Sequence, residues 1–403
     1  MNQISMEKLV QNMLEKQAII CRNDSVYKQD IEEMDGQLIV NWDFCGVQAY
    51  QIFKPTECVS ELNRQLEKCD VTIVFTDEDK CRELLINEDV VQYTRMAITK
   101  DQHYEMGYDS GNPNADYQYY SGNVYDKVED KVKIFEITAR EGLTFKHFHL
   151  TRIPLFRPAF LEMFDMSLGD PKDLGYYIPI NESLDGGAMA RKIFHHFIDK
   201  TDHIYQLPVC PCRRFYGSKY RVDLGCFHMG DATLKIKNSE EKGKFISKEV
   251  AKKELDDAIE DGLIPLLGRS LGEAKGFGIA DTHNGQFLSV CFCGEDACIN
   301  GTTTTCGSSG GEYPFYRVPG LSLKVDRDKC ISCGLCMDIC VYRGMKWVDE
   351  KPEILDRCYG CGRCEKVCPT GAISFKLTED LTTIADKAIE ELNKVVDVTP
   401  QNK

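Results

Sequence analysis

The sequence predicts an α+β chain of several domains. A sheet-plus-helix domain is expected over residues 1–135, a cysteine-rich middle over 136–320, a compact cysteine-paired domain over 321–377 and an amphipathic helix over 378–403. Three observations lead to this reading. The first third alternates apolar and polar residues with a period of two before turning to helical spacing. The middle is punctuated by glycine, proline and close-set cysteines. The last quarter carries one cysteine spacing written twice, followed by apolar residues at spacings of three and four.

The doubled spacing is Cys330-x2-Cys333-x2-Cys336-x3-Cys340, then Cys358-x2-Cys361-x2-Cys364-x3-Cys368-Pro369. A cysteine at every third residue lets a tight loop wrap three corners of a cubane, and the fourth thiolate must come from elsewhere. Zinc held by paired CxxC units would not need the third and fourth cysteine of each run. The stretch Asp326–Phe375 resembles a bacterial two-cluster ferredoxin, in which the fourth cysteine of each run serves the other cluster. That resemblance implies two [4Fe–4S] clusters. One would be held by Cys330, Cys333, Cys336 and Cys368, the other by Cys358, Cys361, Cys364 and Cys340. Gly334, Gly360 and Gly362 sit where a backbone curling around sulfide needs positive φ. Val367, Ala372, Ile373 and Phe375 would shield the clusters. Val341 stands where the second run has Pro369, which removes no ligand.

The chain has 403 residues, 42% of them hydrophobic, enough for several cores without disulfide help. Its net charge of −15 argues against a nucleic-acid partner and allows docking onto a basic redox protein. Twenty cysteines would suggest disulfides in a small secreted chain. Here Met1–Lys16, with Ile4, Leu9, Val10 and Leu14, reads as an amphipathic helix without a secretory apolar core. No run approaches a membrane span. The expected setting is a reducing cytoplasm, and exposed clusters point to an anaerobe.

In the first domain, Gln37–Phe44 reads as a half-buried strand and Val47–Phe53 as its partner across a Cys45–Gly46 turn. Val71–Phe75 is a third strand, with Thr76 as cap of a helix carrying Cys81, Leu84 and Leu85. This pattern over Asp35–Thr138, with Asp70–Leu85 at its centre, resembles the sterol-carrier-protein-2-like domain. The resemblance implies an apolar or acyl ligand in a tunnel. Cys21, Cys45, Cys58, Cys69 and Cys81 lack metal spacing and read as buried thiols. Six tyrosines between Tyr104 and Tyr125 lie in a stretch read as a surface excursion. Val132–Thr138 reads as a further strand.

The middle region opens with His147 and His149 on one side of a strand. A helix follows over Gly187–Asp199, leading into Cys210-Pro211-Cys212-Arg213-Arg214. Cys226 and His228 come next, then a helix capped by Ser247 with Val250, Ala251, Leu255, Ala258 and Ile259 on one stripe, and then Cys291-x-Cys293-x4-Cys298-x7-Cys306. The order from Leu207 to Phe375 resembles uncharacterised iron–sulfur proteins of anaerobes, a likeness that names no substrate. Cys210, Cys212, Cys226 and either Cys291 or Cys293 are candidate ligands of a third [4Fe–4S] cluster, whose negative charge Arg213 and Arg214 would offset. A zinc ion on Cys210, Cys212, Cys226 and His228 is the competing reading. Cys298 and Cys306 form a redox pair, serve a further site, or are inert. The glycines at 268, 272, 276 and 278 match neither a dinucleotide fingerprint nor a phosphate loop.

A last helix is expected from Thr378, its stripe running from Leu381 to Val395. The function read from these residues is single-electron relay between a donor and a redox partner protein. Two alternatives stay open: an oxidoreductase whose middle cluster reduces a substrate, and a binding protein that senses redox state.

Overall fold

The computed structural model describes residues 4–23, 27–28, 31, 37–87, 118–123, 132–139, 153–155, 172–210, 212–213, 218–236, 243–270, 273–274, 277, 279, 285–296, 298, 315–340, 342 and 344–401, with backbone alone at 118–123 and 132–139. They divide into two compact units. The first takes in the described residues up to 155, the second those from 172 onward.

The first unit is a mixed sheet with helices. Helix α1 (Met6–Asn23) buries Leu9, Val10, Met13, Leu14 and Cys21. Ile4 precedes the helix and is exposed, so it drops out of the expected stripe. Strands β1 (Leu38–Phe44) and β2 (Val47–Phe53) form a hairpin whose turn residues Cys45 and Gly46 have φ of 53° and 98°. Two left-handed residues match the twist of the strands they join. Strands β3 (Cys58–Leu62), β4 (Val71–Phe75), β5 (Gln118–Asn123) and β6 (Val132–Ala139) complete the order β3-β2-β1-β4-β6-β5. Only β1 and β4 run parallel among these pairs. Trp42, Phe44 and Phe75 stack in the core, with ring centroids 5.3 and 4.9 Å apart.

Three expectations for this unit change. Helix α2 (Glu78–Asn87) is capped by Asp77 rather than Thr76, because a helix beginning at Glu78 puts the third amide at Lys80, whose N–H donates to Asp77 Oδ1 at 2.9 Å. Gln118–Asn123, read as part of a loop, is β5 and takes its backbone hydrogen bonds from β6. The rest of Tyr104–Tyr125 lies outside the described residues, as do His147 and His149. Cys21 and Cys81 are buried, but Cys45, Cys58 and Cys69 are only half-buried. Cys45 sits in the hairpin turn and Cys58 on the sheet's edge strand, where one side stays open.

The second unit is built on a seven-stranded sheet. Its strands are β7 (Leu174–Tyr177), β8 (Ile204–Gln206), β9 (Phe227–Met229), β10 (Lys244–Phe245), β11 (Ile264–Arg269), β12 (Leu288–Cys293) and β13 (Phe315–Arg317), ordered β10-β8-β9-β12-β11-β7-β13. Helix α3 (Gly186–Lys200) buries Met189, Ile193, Phe194 and Phe197, because its apolar residues recur every three or four positions. Helix α4 (Lys248–Glu260) packs beside it. Ser247 caps α4, its Oγ accepting from the Val250 N–H at 3.4 Å. Ser247→Ala is expected to lower stability by about 1 kcal/mol, read as a shift in the denaturant midpoint. Val250 itself is 41% exposed and leaves the expected stripe. A buried ion pair, Arg269 to Asp173 at 3.0 Å, ties the end of β11 to the residue before β7.

The chain then folds β14 (Leu321–Val325), α5 (Leu335–Asp338), β15 (Met345–Val348), β16 (Lys351–Ile354), α6 (Arg363–Val367), β17 (Ile373–Leu377) and α7 (Leu381–Asn393). Strands β14 and β17 pair antiparallel, and β15 and β16 form a hairpin. Thr378 does not start the last helix. Its N–H stays engaged with the Gly320 carbonyl at 2.9 Å, and Asp380 caps α7 by accepting from Thr383 N–H at 3.0 Å. Ile373 and Phe375 of β17 and Ile384 and Leu392 of α7 share one apolar core with α3, α4 and β12. Among the described residues no helix is long and apolar enough to cross a membrane.

Candidate iron–sulfur sites

The two cysteine runs take up matching backbone shapes. In the first loop Ser332 and Gly334 have φ of 57° and 82°; in the second Gly360 and Gly362 have 68° and 85°. These are the positions at which the chain turns back so that successive thiols face one point. The sequence singles out the glycines but hides Ser332, which holds the same left-handed shape with its Oγ donating to the Glu350 carbonyl at 2.6 Å. At Gly362 a Cβ would lie 1.7 Å from Asn181 Oδ1, and Asn181 Nδ2 donates to the Gly362 carbonyl at 3.1 Å. Gly362→Ala is therefore expected to cost at least about 1–2 kcal/mol from the left-handed backbone alone. It should also lower iron retention on gel filtration.

Cys330, Cys333, Cys336 and Cys368 line one small cavity. Cys340, Cys358, Cys361 and Cys364 line a second. Each cavity thus meets three cysteines of one run and the last cysteine of the other. Backbone donors are arranged alike in both: Ala372 N–H points to Cys368 Sγ and Gly344 N–H to Cys340 Sγ, each at 3.2 Å. Such bonds favour the thiolate and tune a bound cluster. Burial pushes the Cys368 thiol up, but the Ile373 and Ala372 amides and Thr370 outweigh it and hold it below the ordinary value. Burial, then Cys340, pushes Cys358 up to about 12. The donor set and the amides fit a four-iron cluster in each cavity.

The cavities differ in access. Cys333 is exposed, and Ile331, Leu335 and Trp347 stand open around the first cavity at 63%, 44% and 45% exposure. The second is lined by buried Cys358, Cys364, Tyr342 and Tyr359.

The middle cysteines are brought together as well, in the second unit. Cys210 hydrogen-bonds Cys212 and Cys226, and these thiols, with Arg213 close by, hold it well below the ordinary thiol value. Cys226 in turn contacts Cys291. Cys293 lies beside Cys291 and Arg213 as well, but its sulfur partner is another thiol. Its Sγ lies 3.4 Å from that of Cys298, which the sequence paired with Cys306, gave to a further site or left inert. Cys291 and Cys293 share a face of β12 because side chains two apart on a strand point the same way. Cys306 lies outside the described residues.

Arg213 is 1% exposed; its Nη2 donates to the Leu224 carbonyl, and its Nε and Nη1 have no hydrogen-bond partner among the described residues. A buried guanidinium beside Cys210, Cys226 and Cys293 is a counter-ion for negative charge there. His228 turns elsewhere. Its ring stacks on Phe287, its Nδ1 faces Ser289 Oγ at 3.4 Å, and burial pushes it down to about 3. Among the described residues no group of three or more His, Cys, Asp or Glu side chains is arranged to hold a single metal ion.

Aromatic residues join the middle cysteines to the second cavity. Tyr177, at the end of β7, stacks on Tyr359 at 4.8 Å, and Tyr342 packs on both. Tyr342 Oη donates to Cys298 Sγ at 3.7 Å. Arg363, first residue of α6, donates from Nη2 to the Cys293 carbonyl and lies 3.7 Å from Glu295. None of these four residues has a sequence signature; Tyr177 and Tyr342 come from separate segments, Tyr359 and Arg363 from the second cysteine run. In the first unit, a separate open cleft of about 310 Å³ runs between α1 and α2, lined by Leu9, Met13, Ile20, Leu84 and Leu155 among others.

Residues 323–340 and 353–374 match the family model of the 4Fe-4S binding domain. No curated protein matches the chain, and no solved structure does. The C-terminal stretch is thus a ferredoxin-type 4Fe–4S binding domain, and iron–sulfur electron transfer is the chemistry it brings to the chain.

Proposed function

We propose that the chain relays single electrons between a donor and a partner protein, using two [4Fe–4S] clusters in the C-terminal cavities and a third at the middle cysteines. Each cubane takes up and releases one electron when bound. The observation that carries this reading is the three-plus-one lining of both cavities. Cys330, Cys333, Cys336 and Cys368 hold the first cluster; Cys358, Cys361, Cys364 and Cys340 hold the second. The exposed apolar rim of Ile331, Leu335 and Trp347 is the natural docking face for a redox partner.

The third set is Cys210, Cys212, Cys226 and Cys291, supported by their mutual contacts and by buried Arg213. The orientation of His228 toward Ser289 favours iron–sulfur over a Cys3His zinc site. Tyr177, Tyr342, Tyr359 and Arg363 exclude water between this set and the second cavity.

Anaerobic iron, sulfide and zinc analysis with electron paramagnetic resonance of the reduced protein tests the reading. About twelve irons and a signal beyond that of two coupled clusters are expected. About eight irons would remove the third cluster, and one zinc beside them would make the middle site structural. Fewer than about eight irons would overturn the relay.

A further inference from the structure

Six thiols crowd the middle of the second unit, and four are enough for a cubane. The two left over are not scattered. Cys293 is the last residue of β12, and Cys298 follows a short turn that returns its Sγ to 3.4 Å from that of Cys293. The turn is held from several sides: Ser218 Oγ donates to Asp296 Oδ1 at 2.9 Å, the Lys219 N–H to Asp296 Oδ2 at 2.7 Å, and Tyr220 Oη to Glu295 at 2.6 Å. Arg363 fixes the Cys293 carbonyl. The approach of the two sulfurs is therefore built by the fold.

We propose that Cys293 and Cys298 form a reversible dithiol–disulfide centre that exchanges electrons with the adjoining iron–sulfur domain. The inference rests on the relay reading above. A disulfide needs an S–S distance of about 2.05 Å, so the sulfurs must approach by roughly 1.3 Å from the 3.4 Å of the thiol form. Closing so short a loop removes less chain entropy than a long one, so the bond would contribute less as a structural staple than a long-range disulfide. The position suits redox work better. Both residues are buried, at 6% and 2% exposure, so no protein disulfide can reach them from solvent. Electrons must arrive through the protein, and Tyr342 offers the contact: it packs on Tyr359, which lies between ligand candidates Cys358 and Cys361, and donates to Cys298 Sγ.

The step balances as follows. Reduction breaks the Cys293–Cys298 S–S bond and forms two S–H groups, taking two electrons and two protons. The two electrons would come one at a time from a reduced iron–sulfur cluster held by the C-terminal cysteines. The protons come from water, and the Tyr342 hydroxyl keeps a hydrogen bond on the Cys298 sulfur in either state. Run backwards, the dithiol yields two electrons singly. The pair thus converts between a two-electron store and one-electron carriers.

The test is an anaerobic redox titration of the intact holo-protein. Samples poised at successive potentials are denatured, alkylated with iodoacetamide and digested with trypsin. The peptide spanning residues 276–317 is then read by tandem mass spectrometry. At high potential this peptide should carry a Cys293–Cys298 link and weigh two hydrogens less. At low potential both cysteines should be alkylated. The transition should follow a two-electron slope, about 30 mV per tenfold change in ratio against about 59 mV for one electron. Cys298→Ser should leave the iron content unchanged and Cys293 alkylated at every potential.

Alkylation of both cysteines at all potentials that retain the iron would overturn the proposal. So would a link to Cys291 or Cys306 instead, or loss of about four irons in Cys298→Ser, which would make Cys298 a ligand. Failure of the relay reading shows separately, as a low iron count in the unsubstituted protein.

Discussion

Combining Cys368→Ala with Cys330→Ala is expected to remove about four irons, and combining it with Cys358→Ala about eight. The contrast follows from the lining of the two cavities. Cys368 lies near Cys330 in space although thirty-odd residues separate them in the chain, while Cys358 lines the other cavity. Two losses within one ligand set abolish one cluster, and two losses across sets abolish both. Alanine is the substitution of choice because a serine oxygen can still bind iron. If each run instead closed on its own four cysteines, the outcomes would be exchanged, with the first pair losing about eight irons and the second about four. Iron analysis after anaerobic reconstitution reads the difference directly. The spread is the largest effect the C-terminal domain can show.

What could be read from the chain beforehand depended on how local each signal is. The eight C-terminal cysteines stand out because a cubane loop imposes fixed spacing on neighbours in sequence. Gly334, Gly360 and Gly362 could be placed for the same reason. Ser332 has the same backbone shape, but a serine at positive φ carries no mark in the sequence. The caps Asp77 and Asp380 lie within a few residues of the expected Thr76 and Thr378, since several cap-competent side chains stand together and only the hydrogen bond selects one.

The proposed middle site was legible only in part. Cys210, Cys212 and Cys226 were gathered by count and chemistry. The partition of Cys291 from Cys293 and the pairing of Cys298 depend on the turn after β12, which tertiary contacts to Ser218, Lys219 and Tyr220 set. Arg363 and the three tyrosines were invisible for the same reason: a buried cation or an aromatic stack assembled from distant segments leaves no periodic trace.

Arg213→Leu should leave a protein that takes up about eight irons instead of about twelve, with the C-terminal signal unchanged. The argument is electrostatic. A [4Fe–4S] core of charge +2 on four thiolates leaves a net charge of −2, and the site is buried from water on the Cys210, Cys226 and Arg213 side. Removing the partner of a buried charge costs about 3–5 kcal/mol, enough to weaken assembly by two orders of magnitude or more. Leucine keeps bulk but supplies neither the charge nor the bond to the Leu224 carbonyl. Arg213→Lys separates the two contributions. It restores a cation without the planar fork that bonds the Leu224 carbonyl, so partial recovery of iron assigns the effect to charge. Recovery in neither variant, with unfolding of α3 and α4 seen by circular dichroism, would assign Arg213 to packing instead. An iron count near twelve in Arg213→Leu would exclude its role as counter-ion.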